Sequence, residues 1–357
     1  MIWFMAPDLP VLSGGLRVLY AYAATLNAAG LPAQVWQGTP AGQHADVAAP
    51  TAVGLTQTLQ PGDILVMPEV GGQKWQHLTA TIPVVMLCQG TDFVFANTTF
   101  TTELEGPYPG WPNATAVLGV SETIMDFLAA ACDPALPRFH VPVVIDTELF
   151  RPRAKRKAIA LMPRRRREDL LAAVQLIKRS KALPDWELTL IDGMTGAQVA
   201  EALGEAALFL YGAEREGIGL PGAEALASGC DVVGFTGHGA KEYLLPEFST
   251  VIPESDVVAM AAATVASARR FEAEPADFER RTAAGRQFIV DHYNADVMAS
   301  ALVAAFRTLT AAESPSLLTQ AATVQHFQAF GNRPGLLWAA YRGARHWAGK
   351  ALHLVRR

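Results

Sequence analysis

The stretch ALFLYGAEREGIGLPGAEALASGCDVVGF, residues 207–235, carries the reading of the whole chain. It holds an apolar run, a turn with Gly217, Gly219 and Gly222 in G-x-G-x-x-G spacing, an alanine-rich helical run and a second apolar run. That strand, glycine turn and helix order is what a dinucleotide-binding unit uses. Two features oppose a dinucleotide. Pro221 stands inside the loop, and the second apolar run leads into Thr236, Gly237 and His238 rather than into a ribose-binding carboxylate. The stretch instead places Glu216 before the glycine turn and Glu224 on the first turns of the next helix, where both can face one small cavity. Backbone N–H groups at a helix start favour anions, and a carboxylate accepts hydroxyl hydrogen bonds. A ligand with hydroxyls at both ends and phosphate in the middle satisfies these groups, and a nucleotide sugar has that form.

Outward from this stretch, short apolar runs alternate with helical patterns. In the first half they are IWFMA (2–6), AQVW (33–36), DILVMP (63–68), PVVMLC (83–88) and AVLGV (116–120), with helices predicted from Gly15 to about Ala29 and after Ser121. The second half repeats the alternation with AIALMP (158–163), ELTLIDG (187–193), ALFLYG (207–212) and DVVGF (231–235), and helices over 168–180, 196–205 and 221–229. Runs that are apolar on both faces are expected of parallel strands covered by helices. The segment 141–157 holds two prolines and then a basic stretch, so the boundary between two layered domains falls there. A chain of 357 residues suits two domains of roughly 150 residues each.

Half the residues are hydrophobic and the mean hydropathy is +0.18, yet no apolar run reaches the roughly 20 residues that span a bilayer. The N-terminal apolar run lacks the basic leader of a secretory signal and reads as a buried strand. Cys88, Cys132 and Cys230 are odd in number and widely spaced, which makes neither a disulfide framework nor a metal cluster and points to the cytosol. Sequons at Asn97 and Asn113 are accordingly expected to be unmodified. A net charge of −5 speaks against a nucleic-acid partner.

The pattern E-G-x-G-L-P-x-x-E-A-x-A-x-G-x-x-V-V, running here from Glu216 to Val233, resembles the donor-site signature of retaining GT-B glycosyltransferases of family 4. Residues 12–36 are similar to that family's first loop and helix, and VPVVIDTELFRP (141–152) resembles its interdomain segment, with Val143 and Val144 where the family usually has Asn and Gly. The resemblance covers about residues 1–305. It implies an α/β fold of GT-B type, with two facing Rossmann-like domains of parallel sheets: an acceptor domain over 1–150 and a nucleotide-sugar domain over 151–305. A helical extension follows over 306–357. By position, Glu216 would contact the transferred sugar, Gly219 and Leu220 would offer amides near sugar and phosphate, and Glu224 would hold the ribose. Gly14 and Gly15 would let amides approach the diphosphate or the acceptor. A cation is then needed on the leaving diphosphate. The family's Arg and Lys are replaced by MPRRRRED, where Arg164 and Arg167 are the first candidates and Arg165 and Arg166 remain possible. No Asp-x-Asp occurs in the sequence, so metal ligands and cofactors other than the donor substrate are not expected. The resemblance further implies retention of anomeric configuration.

On the acceptor side, Gln89 and Asp92 follow an apolar strand and fall where strand ends line a cleft. Asp92 is a candidate for orienting or deprotonating an acceptor hydroxyl, with helix capping as the alternative. His238 and Glu242 lie in a Gly-rich turn and are candidates for the donor phosphate or sugar, with a plain turn as the alternative. From Ser316 onward there is no Asp or Glu. From about residue 334 the sequence reads as a basic amphipathic helix with Trp338, Tyr341 and Trp347, suited either to an anionic membrane surface or to packing on protein. The expectation is a metal-independent glycosyltransferase, cytoplasmic or peripheral on the inner membrane face. It would move sugar from a UDP- or GDP-sugar to a glycan or lipid-linked acceptor in envelope polysaccharide or lipopolysaccharide synthesis. A silent scaffold of the same fold and a nucleotide-sugar epimerase are the competing readings.

Overall fold

The computed structural model describes residues 1–9, 12–40, 49–79 and 81–327. The chain opens with β1 (Ile2–Met5) and α1 (Gly14–Ala28), the helix starting where the Ser13 hydroxyl accepts the Leu16 amide at 3.3 Å. Strands β2 (Ala33–Gln37), β3 (Thr51–Val53), β4 (Thr56–Leu59), β5 (Ile64–Pro68), β6 (Val84–Cys88) and β7 (Ala114–Gly119) follow. Helix α2 (Glu122–Ala131), capped by Ser121, and β8 (Arg138–His140) complete the first lobe. Its seven-stranded sheet is parallel throughout, in the order β3-β2-β1-β5-β6-β7-β8. Every residue of β5 and β6 is buried, as strands covered by helices on both faces require.

The second lobe repeats the arrangement with β9 (Arg156–Leu161), α3 (Arg167–Ser180), β10 (Glu187–Leu190), α4 (Gly196–Glu205), β11 (Ala206–Gly212), α5 (Leu220–Ala227), β12 (Asp231–Phe235) and β13 (Ser249–Val251). Its parallel sheet has the order β10-β9-β11-β12-β13. Thr195 and Gln198 start α4 with a reciprocal capping box. Helices α6 (Val257–Ala273), α7 (Pro275–His292) and α8 (Ala295–Leu309) then carry the chain back to the first lobe, where Phe306 packs on Phe4 with ring centroids 5.9 Å apart. The connecting segment after β8 is held from both sides. Tyr22 donates to the Val141 carbonyl at 2.7 Å, and Arg286 of α7 donates to the carbonyls of Phe150 and Thr147 at 3.1 and 3.3 Å.

In both sheets the strand order turns at the first strand of the lobe, β1 or β9, which has neighbours on either side that follow it in sequence. A ligand crevice forms beyond the carboxyl ends of strands at such a switch point. The loops after β1, β6, β9 and β11 meet there, and they carry Gly14, Gln89, the arginine run and the Glu216 turn.

The helical extension expected beyond residue 305 is helical only to Leu309 within the described residues. Turns follow around Pro315, which lacks an N–H and restricts its predecessor. Strand β14 (Ala322–Gln325) then pairs antiparallel with β4, from Ala322 opposite Leu59 to Gln325 opposite Thr56. This covers a strand that the main sheet leaves unpaired. The basic amphipathic stretch from about residue 334 lies outside the described residues. Among the described residues no helix is long and apolar enough to cross a membrane, and the three cysteines are buried free thiols.

Candidate functional site

The glycine turn sits between β11 and α5, and its shape is set by protein atoms. Gly219 is in the left-handed region at φ +76°, and a Cβ there would strike the Tyr211 hydroxyl. A Cβ on Gly222 would lie 2.5 Å from the Tyr243 hydroxyl, and one on Gly217 would collide with the Gln89 carbonyl of the first lobe. The G-x-G-x-x-G spacing therefore makes room for two phenols and the opposite lobe. Pro221 falls in the first turn of α5, where its missing N–H costs no helical bond.

Glu216 and Glu224 flank this turn in different environments. Glu216 Oε2 accepts a 3.0 Å hydrogen bond from the Tyr211 hydroxyl, and Oε1 lies 3.6 Å from Arg165 Nε. Glu224 is largely buried on α5, and desolvation pushes its carboxyl up to about 7 against the opposing charges of Arg17 and Arg164. The run of four arginines thus divides its labour. Arg164 acts on Glu224 and Arg165 pairs with Glu216. Arg166 is a structural residue: its Nε donates to the Ala213 carbonyl at 3.0 Å, its guanidinium binds Glu254 at 2.5 Å and Ser255 at 2.8 Å, and it lies over the Phe235 ring. Arg167 opens α3 as an exposed residue, while Arg165 lies against Glu216.

The first lobe closes the site from the other side. Gly14 faces Leu220, whose Cδ1 lies 2.9 Å from where a Gly14 Cβ would be. Gly15 stands beside Gln89, whose amide donates to the Gly15 carbonyl at 3.3 Å. Ser121 caps α2 through the Ile124 amide and donates across the lobes to the Gly217 carbonyl at 2.6 Å. Glu242 accepts the Glu122 amide of α2 at 2.7 Å and the Tyr293 hydroxyl at 2.7 Å, so it latches one lobe on the other. His238 gives its carbonyl to the Thr123 hydroxyl at 3.2 Å. Its side chain borders an open interlobe groove with Thr91, Asp126 and Lys241. Asp92 is exposed in a 3-10 turn over Thr91–Phe93.

The sequence reading missed three participants. Arg17 is one turn into α1, and its charge acts on Glu224 from the first lobe, which only the fold reveals. Tyr211 reads as one more apolar residue of a strand, and Tyr243 follows the turn that contains Glu242.

No family model matches the sequence. Over 48 residues, 13% of this chain, the sequence is 52% identical to an alpha-1,6-glucosyltransferase of Actinobacillus pleuropneumoniae serotype 7 (strain AP76), and the match spans 14% of the length of that curated relative. Among solved structures the chain is similar to sucrose-phosphate synthase from Thermosynechococcus elongatus, with TM-score 0.62 and 16% identity over 87% of this chain and 99% of that one. It is also similar to WaaG, described as a glycosyltransferase involved in lipopolysaccharide biosynthesis, with TM-score 0.52 and 12% identity over 85% of this chain and 98% of that one. The fold is the two-lobed GT-B arrangement of glycosyltransferases that the motif resemblance implies.

Proposed function

We propose that the chain is a glycosyltransferase that moves a sugar from a UDP- or GDP-sugar to a glycan or lipid-linked acceptor. The observation that carries this reading is the convergence of two carboxylates and three arginines on one cleft, with Arg165 paired to Glu216 and the charges of Arg17 and Arg164 acting on Glu224. Glu216 then accepts hydroxyls of the transferred sugar and Glu224 those of the ribose. The amides of Gly219 and Leu220, with Gly14 and Gly15 opposite, approach the diphosphate. Arg164 and Arg165 take up the charge of the departing nucleotide, which is where electrostatic stabilisation contributes most to such a transfer. In this reading no metal is needed, and the sugar keeps its anomeric configuration. Asp92 faces the acceptor and orients its hydroxyl, and His238 stands as a candidate for the donor phosphate or sugar. Residues 1–150 serve mainly the acceptor and 151–305 mainly the donor.

The name of the curated relative makes glucose the first sugar to test. WaaG is described as involved in lipopolysaccharide biosynthesis, and an envelope polysaccharide or lipopolysaccharide, made at the cytoplasmic side of a membrane, is the product this reading proposes for the present chain. The test is thermal stabilisation by UDP, GDP, ADP, CMP and NAD, on the wild type and on Glu224→Ala, because a ligand that binds the native state raises its melting temperature. A shift with UDP or GDP that the variant loses is expected, followed by transfer from the matching nucleotide sugar. No shift with any of the five, or a shift with NAD alone, overturns the reading.

A further inference from the structure

Two buried tyrosines lie beneath the glycine turn, and their hydroxyl protons can be assigned by counting. Tyr243 Oη is 2.5 Å from the Gly219 carbonyl and 3.4 Å from Tyr211 Oη. Tyr211 Oη is 3.0 Å from Glu216 Oε2 and 3.2 Å from the same Gly219 carbonyl. Each phenol has one proton to give. Tyr243 spends its proton on the Gly219 carbonyl, the shorter contact, which leaves the Tyr211 proton for Glu216. Both rings are buried, and desolvation holds both phenols well above their usual range, so Tyr211 stays a donor at every working pH. Gly219 and Gly222 are shaped around these hydroxyls, so the glycines and the tyrosines form one device.

We infer that Tyr211 is a positioning residue: its hydroxyl fixes Glu216 Oε2, so that Oε1, beside Arg165, is the oxygen presented to one hydroxyl of the transferred sugar. Tyr243 supports it by holding the Gly219 carbonyl. This rests on the glycosyltransferase reading and adds how selectivity for the sugar is set. A carboxylate free to rotate offers two equivalent oxygens, whereas one held at Oε2 offers a single oxygen in one direction, and a donor with that hydroxyl inverted loses the bond. Tyr211 itself touches no substrate.

The test uses Tyr211→Phe and Tyr243→Phe in the full chain, with UDP-glucose and UDP-galactose as donors, UDP as the sugar-free probe, and GDP-mannose and GDP beside them. Tyr211→Phe is expected to lower kcat about tenfold or more, since the lost bond ends on a charged group. It should narrow the preference between the two epimeric UDP-sugars and leave UDP affinity within twofold. In a Glu216→Ala background, which has no oxygen for the phenol to hold, the same substitution should cost nothing further, because its effect passes through Glu216. Tyr243→Phe, which frees Tyr211 to turn to the Gly219 carbonyl, should give a smaller loss of the same kind and serves if Tyr211→Phe does not fold. Equal losses in the wild-type and Glu216→Ala backgrounds, or a parallel fall in UDP affinity, overturn the inference and leave the tyrosines as packing. Crystal structures of the wild type and Tyr211→Phe separate the two claims. An unmoved Glu216 carboxylate in the variant refutes positioning whatever the protein binds, while a wild type that binds no nucleotide refutes the functional reading and leaves that comparison of carboxylates standing.

Discussion

The two rims of the cleft are built on opposite plans. On the second lobe, several polar groups near the turn are tied to protein: Glu216 to Tyr211 and Arg165, the Gly219 carbonyl to both phenols, and Arg166 to Glu254 and Ser255. On the first lobe, Arg17 and Asp92 are exposed, and the long loop after β6 opens with a short 3-10 turn over Thr91–Phe93. What stiffens that loop lies beneath it. Glu69, just past the end of β5, is buried beside Gly90, whose Cβ position is 3.6 Å from its Oε1. The rim proposed for the donor is thus preorganised at its surface, while the rim proposed for the acceptor is supported from below and exposes its tips. Tightly fixed groups suit a ligand that is the same in every turnover, and free tips suit a larger and more varied acceptor.

The support beneath the first lobe makes the largest expected effect. Burial raises the Glu69 carboxyl to about 8, partly offset by the amides of Gln89 and Gly90. An unfolded chain holds a glutamate near 4.3. The folded value is the higher one, so native Glu69 keeps a proton that the unfolded chain releases. Its contribution is fully present below about pH 4 and is lost as pH rises to about 8, on the order of 5 kcal/mol at most. Glu69→Gln, which cannot ionise, should therefore be more stable than the wild type at pH 9 and show a flatter urea midpoint between pH 5 and 9. Identical pH slopes for the two proteins would show that the loop is not supported by a protonated buried carboxyl.

At the donor rim, Glu216→Gln should lower transfer about a hundredfold, the scale of removing one preorganised polar group from a reacting centre. Nucleotide affinity should change less than threefold, because the ribose contact belongs to Glu224. A variant that loses UDP or GDP affinity in proportion to rate would mean that Glu216 organises the whole rim, and the division between a sugar carboxylate and a ribose carboxylate would be wrong.

The same contrast explains what the sequence could disclose. Strands buried on both faces announced themselves as apolar runs, and β5, β6, β11 and β12 lie within a residue or two of the expected bounds. The short strands β3, β8 and β13 have three residues each, too few to show a period. Strand β14 was invisible because its partner β4 is remote in the chain. The glycine turn was legible as a motif, but the reason for its glycines was not. Their spacing is dictated by Tyr211, Tyr243 and Gln89, which come from three different segments. The arginine run shows the limit most plainly. Four adjacent identical residues carry no signal of which one turns inward, and only the backbone after β9 sends Arg166 to Glu254 and Arg165 to Glu216.

A smaller effect is expected at Glu224, the residue proposed to hold the ribose. Burial pushes its carboxyl up to about 7, so below that pH one oxygen carries a proton and the group accepts ribose hydroxyls less strongly than the carboxylate does. UDP or GDP should bind about tenfold more tightly at pH 8 than at pH 6, with the dependence removed by Glu224→Gln. Calorimetric titration at the two pH values reads this directly. A pH-independent affinity would place the ribose elsewhere on the rim and leave Glu224 as a buried partner of Arg17 and Arg164.

The smallest effect is expected at Asp92, and it probes the comparison from the other side. An exposed carboxylate in a 3-10 turn is surrounded by water, so its hydrogen bond to an acceptor hydroxyl replaces one to solvent and yields little net free energy. Asp92→Asn keeps that acceptor atom and removes only the charge. Activity should fall less than tenfold and mainly through a higher KM for the acceptor, with kcat nearly unchanged. General base catalysis makes a different demand: removing a true base costs about a hundredfold or more in kcat and abolishes the limb of the pH profile that reports its ionisation. A loss of that size at Asp92 would put chemistry on the free tips of the first lobe, and the division of the cleft into a fixed reacting rim and a yielding acceptor rim would fail.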